Sequence, residues 1–127
     1  MDDFKSRKTI TQEELKECAE FWKYTLGLSD WNIAISIDRE KDMTEQDCAG
    51  YCKYRTVRKE AVISIVDPID WESNDFEYDM EKTLVHELLH CKFALIDSDD
   101  SLREVVQHRL LDEIATAIVL AYRSDRK

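Results

Sequence analysis

The sequence predicts an α+β domain in which helices pack on one side of a small sheet. Three observations predict this class. Apolar residues recur at helical spacing between Thr11 and Gly27, strand-like segments follow, and helical patterns return from about residue 79. With 127 residues, 43% of them hydrophobic, and only two glycines and one proline, the chain is long enough for one buried core. We therefore expect a single domain over residues 1–127 with a three-stranded, largely antiparallel sheet.

The first element is predicted to be an amphipathic helix. Thr11 followed by Glu14 matches a capping box, in which each residue satisfies a free backbone N–H of the first turn. Gly27 is the residue type that most easily ends a helix. The apolar face between these points consists of Leu15, Cys18, Ala19, Trp22 and Leu26.

Strands are predicted next. In "WNIAISID" the isoleucines alternate with other residues, which is the period of a strand with one buried face. The segments "AGYCKYRTV" and "EAVISIV" are rich in β-forming residues and are separated by a charged turn, which indicates a hairpin. Pro68 follows the second segment and should end it, because proline cannot donate a backbone hydrogen bond.

Two helices are predicted to complete the chain. The first runs from about residue 79 to 96. The second begins at "DSDDS", a run of residues that cap helices well. On this last helix one apolar face is expected to pack on the core, and it consists of Val106, Leu110, Ile114, Ala117 and Ala121.

Charge and composition exclude several classes of partner. The 28 acidic and 18 basic residues give a net charge of −10, which repels polyphosphate and anionic lipid. No stretch approaches the ~18 apolar residues that span a bilayer, and the N-terminal residues lack the apolar core of a signal peptide. We expect a cytoplasmic protein that binds neither nucleic acid nor membranes directly. Its four cysteines lack CxxC spacing and are expected to be reduced packing residues.

The segment "HELLH", residues 86–90, carries the chemistry. Residues four apart on an α-helix lie on one face, about 6 Å apart along its axis, so His86 and His90 can bind one ion. The rest of this helix is largely apolar, and histidine rings there need partners for their nitrogens. With Glu87 between the two histidines, the pattern predicts a zinc site.

A third zinc ligand must come from elsewhere, because catalytic zinc usually has three protein ligands. Glu113 is favoured, since it flanks the predicted apolar face of the last helix, where a carboxylate is costly unless it is paired or bound to a metal. His108, Asp112 and Glu104 remain alternatives.

The segment "LVHELLH", preceded by "AVISIV" and followed by a helix with "LLDEIATAIV", resembles the zincin metallopeptidases. More narrowly, it is similar to the small stand-alone gluzincin-type domains of bacteria and phages, distantly like the ImmA/IrrE group. The resemblance implies a zincin-like fold in which His86, His90 and Glu113 bind Zn²⁺ and Glu87 is the general base. Phe93 and Ile96 stand where metzincins require glycine and histidine, which excludes that subgroup.

The resemblance implies a zinc metalloendopeptidase that hydrolyses peptide bonds of an intracellular protein through a metal-activated water. Residues 61–66 would pair with the extended substrate main chain. Two alternatives are a catalytically silent zincin-fold binding or regulatory protein that retains the metal, and a metal-free helical interaction domain. The sequence does not rank the possible oxyanion stabilisers, and it does not indicate an oligomeric state. Those stabilisers are Tyr51, Tyr54, Tyr78, Tyr122 and His108.

Overall fold

The computed structural model describes residues 9–44, 48–71, 77–94 and 101–125. These residues form three α-helices and three β-strands, which confirms the α+β class. The elements are α1 (Gln12–Thr25), β1 (Asn32–Asp38), β2 (Gly50–Arg55), β3 (Glu60–Val66), α2 (Met80–Lys92) and α3 (Ser101–Asp125). Short 3-10 turns cover Glu40–Asp42 and Pro68–Asp70. The capping run at 97–100 lies outside the described residues.

Helix α1 begins and ends as predicted. The Thr11 side chain accepts from the Glu14 backbone N–H at 3.2 Å, and the Glu14 carboxylate accepts from the Thr11 N–H at 2.9 Å. Gly27 adopts a φ of 74°, a left-handed conformation that costs glycine little. The buried face comprises Leu15, Cys18, Ala19 and Trp22.

The sheet has the strand order β1-β3-β2 and is mixed. Strands β2 and β3 form the predicted antiparallel hairpin, but β1 pairs with β3 in parallel. The expectation of a largely antiparallel sheet is therefore wrong. The strand order follows from burial: β3 is the most buried strand and lies at the centre, so β1 pairs with the edge of β3 that faces away from β2.

This order also changes which strand can meet a substrate. Both hydrogen-bonding edges of β3 are used by β1 and β2, so residues 61–66 cannot pair with a further chain. That prediction is wrong. Within the described part of the chain, β2 lies at an edge of the sheet.

Helix α2 packs on β2 and β3 and carries "HELLH" as predicted, although it ends at Lys92, short of the expected residue 96. Leu84 and Leu88 face the sheet core, where Ile63 and Ile65 are fully buried with them. At about 1.5–3 kcal/mol for each fully buried aliphatic side chain, this contact holds α2 firmly on the sheet. His86 and His90 therefore belong to a helix that is packed tightly on the sheet.

Helix α3 presents a different face to the core from the one predicted. The stripe of Val106, Leu110, Ile114, Ala117 and Ala121 is exposed, and the buried residues are Leu111, Ala115 and Val119. Polar contacts also join α3 to α2. No described helix is long and apolar enough to cross a membrane.

The strongest of these polar contacts joins the end of α3 to the start of α2. Arg123 donates to both carboxylate oxygens of Asp79 at 2.9 and 3.1 Å and to Glu81 at 2.9 Å. Glu81 is 0% exposed and also accepts from Trp22 Nε1 at 2.8 Å. Burial raises the pKa of Glu81, and the hydrogen bonds from Trp22 and Arg123 oppose that rise. These hydrogen bonds and ion pairs connect α1, α2 and α3.

Candidate metal centre

Three histidines meet between α2 and α3. His86 and His90 lie one turn apart on α2 with ring centroids 5.2 Å apart, and the ring centroid of His108 on α3 lies 5.8 Å from that of His86 and 4.6 Å from that of His90. One nitrogen from each ring can be chosen so that all three lie within 4.8 Å of one another. His90 is buried, His86 is half-buried and His108 is exposed, so the cluster is open to solvent from the α3 side.

This donor set fits zinc. Bonds of 2.0–2.1 Å in a tetrahedral site place ligand nitrogens about 3.3 Å apart, so the three rings need only small rotations to converge. Burial lowers the pKa of His86, and burial with the neighbouring imidazoles lowers the pKa of His90 to about 3. Both rings are therefore neutral at physiological pH, which is the form that binds a metal.

Asp112 lies beside one of these rings. Its Oδ1 is 3.6 Å from His86 Nδ1, a separation within ion-pair range but longer than a hydrogen bond. A carboxylate behind a histidine ligand is a frequent arrangement in metal sites, where it fixes the tautomer and makes the ring a better donor.

The structure brings His108, and not Glu113, to the histidine pair. The Glu113 side chain is 64% exposed and its carboxylate lies 3.7 Å from Arg109 Nε. Because successive residues turn by about 100°, Glu113 lies about 160° around the helix from the core-facing Leu111, whereas His108 lies only about 60° from it. The expectation that Glu113 completes the ligand set therefore does not match the geometry. The side chain of Glu104 lies outside the described residues.

Glu87 sits in the wall beside this cluster. Its side chain is 5% exposed, and burial raises its pKa from 4.5 to about 8. Gly50 of β2 lies close by, because a Cβ there would be 3.5 Å from Glu87 Oε2. The same Cβ would lie 2.9 Å from the Ser64 carbonyl oxygen and from Thr83 Cγ2.

Gly50 therefore lets the edge strand approach α2 closely. Sequence reasoning missed this residue. The available indication was that one of only two glycines in the chain falls inside a predicted strand, where glycine often marks a close backbone approach.

A cavity of about 660 Å³ connects these groups. Glu87, the three histidines and β2 line it, and Trp71 and Tyr78 contribute to the wall. Among the candidate oxyanion stabilisers, Tyr51 and Tyr54 also line the cavity. The Tyr78 hydroxyl donates to the Val66 carbonyl at 2.7 Å, and Tyr122 packs against Phe21 and Trp22.

Comparisons with protein-family models, with curated proteins and with solved structures gave no match to this chain. Its function is therefore inferred from the residues and geometry of the histidine cluster.

Proposed function

We propose that the chain is a zinc-dependent metallopeptidase with a zincin-like arrangement, in which His86, His90 and His108 bind the metal and Glu87 is the general base. The observation that carries the proposal is the convergence of three imidazoles within 4.8 Å beside a buried carboxyl group. The proposal retains the zinc histidines and the base expected from "HELLH". It replaces glutamate with histidine as the third ligand.

Zinc held by these histidines would supply Lewis acidity toward a water molecule and a peptide carbonyl. The residues of the chain do the rest. Glu87 would take the proton from the water and return it to the amine that leaves.

Strand β2 would hold the substrate. It forms an edge of the described sheet and lines the same cavity as the histidines, so an extended peptide could pair with its outer backbone groups beside them. Main-chain pairing of this kind places a scissile peptide bond without reading its side chains. We therefore expect a protein or peptide substrate with little sequence selectivity at the positions that pair with β2.

A second candidate is a protein that binds the metal without catalysis. The burial of Glu87 favours it, because a general base must reach water and this carboxyl is 5% exposed. In that case the cavity and the edge of β2 would bind a peptide that is not cleaved. The two candidates share the metal site and differ only in turnover.

Metal analysis of untagged protein tests the shared part. We expect one zinc per chain, and His108→Ala should weaken zinc binding by about 100-fold or more, given that even the loss of an outer-shell partner costs 10–100-fold. Glu113→Gln is the matched control on the same helix and should bind zinc normally. Zinc that is lost in Glu113→Gln and retained in His108→Ala would overturn the ligand set.

Turnover is tested with a library of unstructured peptides. Wild-type protein should cleave in a chelator-sensitive manner, and Glu87→Gln should keep its zinc and lose activity by about 10² to 10⁴-fold. Normal cleavage by Glu87→Gln would overturn the role of Glu87. Zinc binding without cleavage of any peptide, or of proteins captured in the native host by Glu87→Gln, would favour the binding protein.

A further inference from the structure

Two cysteines face each other across the contact between the edge strand and the metal-site helix. Cys52 of β2 and Cys91 of α2 have their sulfur atoms 3.7 Å apart. Cys91 is 3% exposed and follows His90 directly in the chain, and Cys52 is half-buried and lines the cavity. Neither the metal ligands nor the proposed reaction uses these thiols.

We propose that Cys52 and Cys91 form an oxidative modification site, at which a peroxide-class oxidant converts the two thiols into a disulfide between β2 and α2. This inference does not rest on the proposed function, because it needs only the two sulfur atoms and access to one of them.

The geometry requires little movement. A disulfide has an S–S bond of about 2.05 Å, and its two Cβ atoms lie roughly 3.5–4.5 Å apart. Sulfur atoms at 3.7 Å are already in contact, so side-chain rotation with a small approach of β2 toward α2 is enough to join them. Cys52 shares the face of β2 that looks toward α2, since it pairs in register with the fully buried Ile63.

Access differs between the two thiols and sets the order of events. A small oxidant that enters the cavity meets Cys52, whereas Cys91 is covered. Hydrogen peroxide would oxidise the Cys52 thiol to a sulfenic acid and release one water. The Cys91 sulfur would then attack that sulfur, and the hydroxyl and the Cys91 proton would leave as a second water. Overall, two thiols lose two hydrogens and two electrons, and one peroxide becomes two waters.

The bond would join two walls of the same cavity. It closes a loop between residues 39 apart in sequence, and it ties α2 to the edge strand immediately after His90. Constraining a loop of this size in the unfolded chain stabilises the folded state. We expect the oxidised protein to melt several degrees higher than the reduced protein, and a reducing agent should reverse this shift.

The test uses the full chain, reduced and held in chelator so that no metal takes part. Treatment with hydrogen peroxide at a low molar ratio, followed by unfolding in denaturant, should lower the number of thiols that react with iodoacetamide from four to two. Peptide mapping should find one cross-linked pair of peptides, joined through Cys52 and Cys91. Its mass should be lower, by two hydrogens, than the summed mass of the two reduced peptides. Cys52→Ser should abolish the cross-link and the shift in melting temperature.

Cys48→Ser is the matched control, because Cys48 is also half-buried and also lines the cavity. It should form the 52–91 disulfide as the wild type does. Cys91→Ser provides a second loss-of-function variant, and circular dichroism of both variants before oxidation checks that they are folded. A disulfide that involves Cys48 instead, or oxidation of Cys52 only to sulfinic acid, would overturn the proposal.

Discussion

Replacing Glu87 with glutamine should make the metal-free protein more stable, by an amount that grows with pH. The Glu87 carboxyl is 5% exposed, and burial raises its pKa from 4.5 to about 8. Below pH 4.5 it is protonated in both the folded and the unfolded chain, so it contributes no difference. Glutamine has nearly the same shape and never ionises, which makes it a suitable reference for the protonated side chain.

The direction of this change in stability with pH follows from proton binding. Between pH 4.5 and about 8 the folded chain keeps the Glu87 proton while the unfolded chain releases it, so wild-type stability falls as pH rises through this range. Each pH unit corresponds to about 1.36 kcal/mol. Over the whole interval the wild type therefore loses about 4 to 5 kcal/mol relative to Glu87→Gln, most of it by pH 8.

Urea unfolding in chelator at pH 5 and pH 8.5 measures this difference. Glu87→Gln should exceed the wild type by under about 1 kcal/mol at pH 5 and by about 4 kcal/mol at pH 8.5. The histidines are present in both proteins, so their titration largely cancels. Glu113→Gln, whose carboxylate is 64% exposed, should show no such trend. A Glu87→Gln difference that is the same at both pH values would refute the burial argument.

Three further changes test the packing around the site. Arg123→Met should lower the free energy of unfolding by about 3 to 5 kcal/mol, because it leaves the buried Glu81 without its cation. Urea unfolding at pH 7 measures this loss, and the double variant with Glu81→Gln should recover most of the free energy of unfolding. A loss below about 1 kcal/mol in Arg123→Met would contradict the prediction. Gly50→Ala should lower the free energy of unfolding by about 1 to 3 kcal/mol, because the added methyl group would lie 2.9 Å from a carbonyl oxygen of β3. An unchanged melting temperature would count against that contact. Tyr78→Phe should cost about 1 to 2 kcal/mol by leaving the Val66 carbonyl without its donor, as measured by urea unfolding, whereas a change near zero would indicate that water replaces the hydroxyl.

The elements of this chain were predictable because their determinants are local. The capping box at Thr11, the stop at Gly27 and the alternation of the hairpin strands each depend on residues a few positions apart, and all are found where expected. The strand order was not predictable in this way. Placing β1 beside β3 depends on how much surface each strand buries in the assembled sheet.

The position of His108 likewise depended on the assembled fold and not on local sequence. Helix α3 contains two apolar stripes, one that includes Leu110 and Ile114 and another that includes Leu111 and Ala115, and helical spacing favours neither decisively. Burial of the first stripe, which the sequence predicted, would place Glu113 on the flank of the buried face. The folded protein buries the second stripe instead, and this brings His108 to His86 and His90 on α2.

The sequence by itself determined that His86, Glu87 and His90 share one turn region of a largely apolar helix. This is so because backbone hydrogen bonds fix the spacing of residues within a helix. Only the tertiary structure decided that His108 joins them, that Gly50 admits the edge strand, and that Cys52 meets Cys91. Those three meetings depend on the rotation and approach of separate elements, which are set by packing and by buried polar contacts such as Arg123 with Glu81.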